Sequence, residues 1–423
     1  MADSISPVTS ATSEPADAVR HVARASYGKL VAYLSARSRD VAKAEDALAD
    51  AFLEALERWP ADGVPESPEA WLITVARRSL VDLDRRRMTA ERGADHARLL
   101  AEELAQPTGG DQVIPDERLS LMFACAHPAI DERIRAPLIL QTVLGFDAAT
   151  IAQAFLIAPV AMAQRLVRAK AKIKDAGIPF RIPERDEWPE RIEAVLAAIY
   201  AAFSAGWSDP MGADVARKGL SDEAIWLARL MVELVPGEPE ALGLLALVLH
   251  LDARRQARRV DGRFIPLHEQ DTARWHVAMI EEADALLIKA SRAQAIGRYQ
   301  LEAAIQSAHA IRRLGDNPDW PALAKLYDRL FELTGSPVVA LNRAVVTAEL
   351  EGPETAIAAL NSLGADARLT DYQPYWAAQA DLLARLARAE EANEAYLRAI
   401  GLEMDPAVRM FLEQQRQCLA SRS

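Results

Sequence analysis

The chain has 423 residues, with 49 basic and 61 acidic side chains and a formal net charge of −12. At roughly 100–200 residues per domain, that length suggests two or three domains; apolar residues make up 51%, which supplies material for buried cores and excludes global disorder. No uncharged apolar run approaches the ~18 residues that a membrane helix needs. The two cysteines, Cys125 and Cys418, exclude a disulfide framework and any multi-cysteine zinc site, so a reduced cytoplasm is the expected setting. Residues 1–16, rich in Ser, Thr, Ala and Pro, lack the basic-then-apolar start of a secretory signal and read as a loose tail.

Charge is unevenly spread. The first 183 residues sum to about −2 and the remainder to about −10. Almost every periodic segment is helical, with apolar residues recurring at spacings of three and four, and an all-α fold is expected. Proline- and glycine-bearing stretches divide the chain into units at 17–88, 113–183 and 184–423, with a linker over 89–112.

The first unit reads as a three-helix bundle. Asp40 can cap its middle helix, whose apolar stripe is Val41, Ala44, Leu48, Phe52, Ala55 and Trp59. A second stripe, Asp46, Asp50, Glu54 and Glu57, is either a solvated face or a docking face for a basic partner. Pro60 to Glu66 reads as a polar loop. Ser67, Pro68 and Glu69 make a strong start for the third helix. That helix carries Arg77, Arg78, Arg85, Arg86 and Arg87 toward its C-terminal end; such residues complement the helix dipole, but five arginines exceed what capping requires.

The second unit ends in a helix-turn-helix pattern. Asp147 to Phe155 makes a short helix, Leu156 to Pro159 a tight turn, and a further helix runs to about Ala176 before Gly177 stops it. Met162, Leu166, Ala169 and Ile173 face inward on that last helix. Ala161, Gln164, Arg165, Arg168 and Lys172 face outward, which is either a plain solvated face or the geometry that enters a DNA major groove.

In the third unit, small residues recur with a period close to that of tetratricopeptide (TPR) repeats. Ala344 and Ala380 are 36 residues apart, as are Ala356 and Ala392. The seven histidines show no HExxH spacing, and Cys125, on an apolar face, reads as a buried inert thiol. The polar run 259–276, with Asp261, His268, Glu269, Asp271 and His276, is either a polar site or a Gly-containing turn between helices followed by a capped helix. No residue is assigned a catalytic or metal-binding role, and no cofactor is expected.

The segment DVAKAEDALADAFLEALERWPADGVPESPEAWLITVARRSLVDLDRRR, residues 40–87, resembles the second conserved region of extracytoplasmic-function (ECF) RNA polymerase sigma factors. Residues 113–183, with DERLSLMFACAHPAI and IAQAFLIAPVAMAQRLVRAKAKIKDAGIPFRIP, resemble their fourth region. The remainder resembles the TPR-like extension of one subgroup. That resemblance implies a factor without chemistry of its own. It would bind core RNA polymerase, on the clamp helices and flap, and promoter DNA. Glu45, Asp46, Asp50, Phe52 and Glu54 would dock on the polymerase. Trp59 and its loop would meet a flipped base of the minus-ten element, and Arg77, Arg78 and Arg85 to Arg87 the adjoining duplex. Ala161, Gln164, Arg165, Arg168 and Lys172 would read the minus-thirty-five element, from a domain flexibly linked to the first. Arg78 stands where the family often carries Asn, and Ala161 where it carries Thr or Ser, so Ala161 offers only a methyl contact. The TPR-like unit would regulate the factor or bind a protein partner. The alternative reading is a helix-turn-helix regulator with a TPR-like sensor domain, acting independently of core polymerase.

Overall fold

The computed structural model describes residues 13–88, 116–155, 157–184, 187–207, 215–364 and 369–420. It is all-α apart from one short hairpin among the described residues, and it divides into two compact units, 1–202 and 203–423.

In the first unit, α1 (Ser13–Ser38), α2 (Val41–Asp62) and α3 (Pro68–Met88) pack on one another. Helix α1 begins within the stretch expected to be a loose tail. Asp40 caps α2, accepting from the Lys43 N–H at 3.2 Å. The expected loop after Trp59 is also corrected. Helix α2 continues through Pro60 to Asp62, because the N–H of Gly63, at φ 84°, closes the last turn on the Trp59 carbonyl at 3.0 Å.

The next four helices are α4 (Arg118–Cys125), α5 (Glu132–Leu144), α6 (Ala148–Ala154) and α7 (Pro159–Asp175). They do not form a separate, loosely tethered body as expected. Helix α1 packs on α4 and α5, and α2 packs on α7. The approach is close enough to need glycine: a Cβ on Gly28 of α1 would lie 2.0 Å from the Val143 carbonyl oxygen of α5. Helix α8 (Trp188–Trp207) also begins on this unit. Its Trp188 ring lies 5.6 Å from Phe123, and Arg191 donates to the Phe123 carbonyl at 2.7 Å. The unit boundary therefore falls after Ala202, later than the expected 183/184.

The second unit stacks helices mostly in chain order. They are α9 (Val215–Leu234), α10 (Pro239–Asp252), α11 (Arg255–Arg258), α12 (Val277–Ser291), α13 (Arg298–Ala310), α14 (Trp320–Thr334), α15 (Pro337–Leu350), α16 (Pro353–Ser362), α17 (Gln373–Arg385), α18 (Ala389–Leu402) and α19 (Pro406–Ala420). Ala344, Ala356, Ala380 and Ala392 are all buried, in α15 to α18 respectively. Run 259–276 holds the expected Gly-containing turn, but between two short strands and not between helices. Asp261 and Gly262, at φ 51° and 75°, join β1 (Arg259–Val260) to β2 (Arg263–Phe264), and His276 caps α12 through Nδ1. No convincing strand was expected; the two-residue hairpin corrects that, and Phe264 packs on Phe411 of α19 at 5.6 Å.

Candidate nucleic-acid interface

Helix α7 has two sides of opposite character. Met162, Leu166, Ala169 and Ile173 are buried, as a 3.6-residue period requires. Gln164, Arg165, Arg168 and Lys172 are exposed, and Ala161 is half-buried. The helix ends where the Ile178 N–H bonds back to the Ile173 carbonyl at 2.9 Å, with Gly177 at φ 59°. Asp147 caps α6, accepting from the N–H groups of Ala149 and Thr150 and from the Thr150 hydroxyl at 2.8–2.9 Å. The Thr150 bonds, first among these, hold its carboxyl below the usual carboxylate range.

Arg165, Arg168 and Lys172, with Arg133 of α5, line a cleft of about 360 Å³, and among the described residues that line it Asp131 is the acidic one. Among the described residues no carboxylate pairs with Arg165, Arg168 or Lys172. Lys170 and Lys174 point the other way: Lys170 pairs with Glu45 of α2 and Lys174 with its cap, Asp40, at 3.0 Å. Burial raises the Glu45 carboxyl above its ordinary range, and Lys170 only partly offsets this.

The other predicted residues divide by burial. Asp46 and Asp50 of α2 are exposed, Asp50 accepting from the Ser79 hydroxyl at 2.9 Å. Phe52 and Glu54 are half-buried, and Glu54 pairs with Arg58 at 3.0 Å. Glu45 does not belong to that open face, because Lys170 covers it. Trp59 is 1% exposed and packs edge-on against Trp71 at 5.6 Å, so it is a core residue that presents no surface to a base. Arg77 is likewise buried, on the side of α3 that carries Ile73, Ala76 and Leu80, while Arg78 is exposed. Arg85, Arg86 and Arg87 continue α3, and their side chains lie outside the described ones. Cys125 is fully buried beside Thr142, and burial pushes its thiol up to about 12, so it is held as the unreactive thiol.

Residues 22–89 match the family model of sigma-70 region 2. The chain is a sigma-70 family factor. Residues 191–291 match a family of unknown function, DUF6596. An uncharacterized protein of Rhizobium meliloti (strain 1021) is 39% identical over 390 residues, covering 90% of this chain and 91% of its own length, and the chain belongs to one family with it. No solved structure matches. Sigma-70 factors are non-catalytic transcription initiation factors that bind core RNA polymerase and promoter DNA.

On this sigma factor, sequence periodicity missed two features of α2. Leu53 and Leu56 are 61% and 46% exposed, set among Asp46, Asp50 and Glu57. Their position off the apolar stripe was the available signal. An exposed apolar pair rimmed by acids is a surface suited to a protein partner. Among the described residues no helix is long and apolar enough to cross a membrane, and no group of three His, Cys, Asp or Glu could hold a metal ion.

Proposed function

We propose that this sigma factor is of the ECF type, with residues 113–183 serving as region 4 and α7 as the helix that reads the minus-thirty-five element. The observation that carries the proposal is the outward face of α7, where Arg165, Arg168 and Lys172 stand exposed without carboxylate partners around a cleft. Each can neutralise a phosphate and release counterions. Gln164 and Arg165 can reach base edges, and Val160, 71% exposed beside Ala161, adds an apolar contact of the kind thymine methyls accept. The acidic face of α2, with Asp46, Asp50, Phe52, Glu54 and the exposed Leu53 and Leu56, would dock on the clamp helices of core polymerase. Arg78, continued by Arg85, Arg86 and Arg87, would contact the minus-ten region.

Reading both elements requires the first unit to open. Elements about 25 base pairs apart lie roughly 85 Å apart along DNA at ~3.4 Å per base pair. A compact body of about 200 residues is only about 45 Å across. The α2–α7 and α1–α5 contacts must therefore part, and polymerase docking on α2 would compete with Lys170 for Glu45. Trp59 could meet a base only after a rearrangement of the α2 end, so in the closed form it belongs to the core. The C-terminal unit would be TPR-like and would regulate the factor in cis or hold a partner. Since α8 begins on the first unit, the informative truncation removes residues 208–423 and keeps Trp188 and Arg191.

Run-off transcription with purified core polymerase on genomic fragments tests the proposal. Discrete transcripts that depend on this chain are expected, and Arg165→Glu with Arg168→Glu should abolish them while core binding persists. DNA binding without any polymerase complex would favour the independent regulator.

A further inference from the structure

The C-terminal unit gathers three arginines where the chain supplies few acids. Arg254 lies between α10 and α11, Arg258 closes α11, and Arg312 sits in the 3-10 turn Ile311–Leu314 after α13. Packing of α10 on α13 brings the segments together, and Trp275 lies beside two of the arginines. The guanidinium carbons of Arg254 and Arg312 are 5.9 and 6.0 Å from its ring centre.

Elsewhere in this unit arginines meet carboxylates: Arg229 with Glu282, Arg255 with Asp252, Arg343 with Asp328, Arg385 with Glu349. Arg254 and Arg312 do not, among the described residues. Arg254 donates to the Gln306 side-chain oxygen. Arg312 donates to the carbonyls of Leu267 and His268, the latter at 2.7 Å. Arg258 lies over Trp207 at 5.1 Å and donates to its carbonyl at 3.4 Å; of the two carboxylates that act on it, Asp405 is taken by Arg259 and Glu403 acts without a direct bond to it. Among the described residues, the buried indole N–H of Trp275 has no acceptor.

Such a cluster repels itself. Burial, then Arg258 and Arg312, lower the Arg254 guanidinium to about 10. Burial, then Arg254 and Arg312, lower His309 to about 4. All three arginines are half-buried, so solvent still reaches them. Concentrated, poorly hydrated positive charge with spare donors is a standing cost that an anion relieves.

We propose that Arg254 and Arg312, both beside Trp275, with Arg258 near Arg254, bind the oxyanion of a phosphate or phosphoester. Planar guanidinium forks take two oxygens of such a group at once, which a lysine cannot do. The site joins the loop before α12 to α13, so an occupant would tie those elements together.

The test uses the full chain with inorganic phosphate, against chloride at matched ionic strength, reading thermal unfolding and the titration of His309 by NMR. Phosphate is expected to raise the unfolding temperature by several degrees at saturation. It should move the His309 midpoint up by about one pH unit. Arg254→Gln and Arg312→Gln should each lose most of the thermal shift, whereas general salting-out would persist in them. If either variant fails to fold, the His309 titration of the unaltered chain decides. A nucleoside 5′-monophosphate that binds at least tenfold tighter than phosphate assigns the site to phosphoesters; equal binding assigns it to the inorganic ion. Identical behaviour in phosphate and chloride with His309 unmoved overturns the proposal, as does undiminished phosphate binding by both folded variants.

Discussion

Among the described residues, positive charge without a carboxylate partner stands in two contrasting settings. On α7, Arg165, Arg168 and Lys172 stand in solvent, while Lys170 and Lys174 of the same helix are pinned to Glu45 and Asp40. In the C-terminal unit Arg254 and Arg312 also lack carboxylates, yet they are half-buried around Trp275. Water stabilises the first group, so it stands ready for a long polyanion whose grip weakens with salt. The second group lacks full hydration, so it fits one small anion held at short range. Exposure, more than charge count, separates the two kinds of site.

The largest effect should come from the exposed group. Changing Arg165 and Arg168 to Ala should remove about two counterions from the salt dependence of promoter-complex formation; an unchanged slope in a salt titration would make that face an ordinary solvated one. Next comes the pinned side of α7. Lys170→Glu leaves Glu45 facing a like charge in a largely buried place, a loss of about 3–5 kcal/mol for the closed form, and small-angle scattering should show a larger radius for the free chain. An equally compact variant would mean that the α1–α5 contact at Gly28 holds the body shut alone. His309 sharpens the buried side. Its folded midpoint is about 4, against ~6.5 in the unfolded chain. The unfolded state therefore takes up the proton first, so stability is complete above pH ~6.5 and falls as pH drops toward 4, by about 2–3 kcal/mol. His309→Gln should flatten that part of the stability–pH curve in chemical denaturation. The smallest effect is local: Asp147→Ala should cost about 1 kcal/mol by uncapping α6, seen as a lower denaturation midpoint without a change in salt slope.

Much of this was legible in residue spacing. The buried and exposed sides of α7, the Asp261–Gly262 turn and the buried alanines of α15 to α18 all follow from local periodicity and turn chemistry. Arg77 could have been placed as well, since Ile73, Ala76 and Leu80 put its side of α3 inward. What spacing could not reveal depends on distant pairing. Glu45 and Lys170 are 125 residues apart, so no local pattern marks one as the other's cover. Trp59 seemed to begin a loop because Pro60 follows it, yet α2 runs on through the proline to Asp62. The meeting of Arg254 and Arg312 depends on helix stacking.

The central claim is that the closed first unit opens to place α2 and α7 on separate promoter elements. Fluorescence energy transfer between labels at Asp62→Cys and Asp175→Cys, both exposed positions, with Cys418 replaced by Ser, measures it directly. The free chain should give a distance within the ~45 Å span of a compact unit, and the active complex with core polymerase and promoter DNA a distance well beyond it, approaching the ~85 Å between the elements. A short, unchanged distance in a complex that initiates transcription would contradict the account.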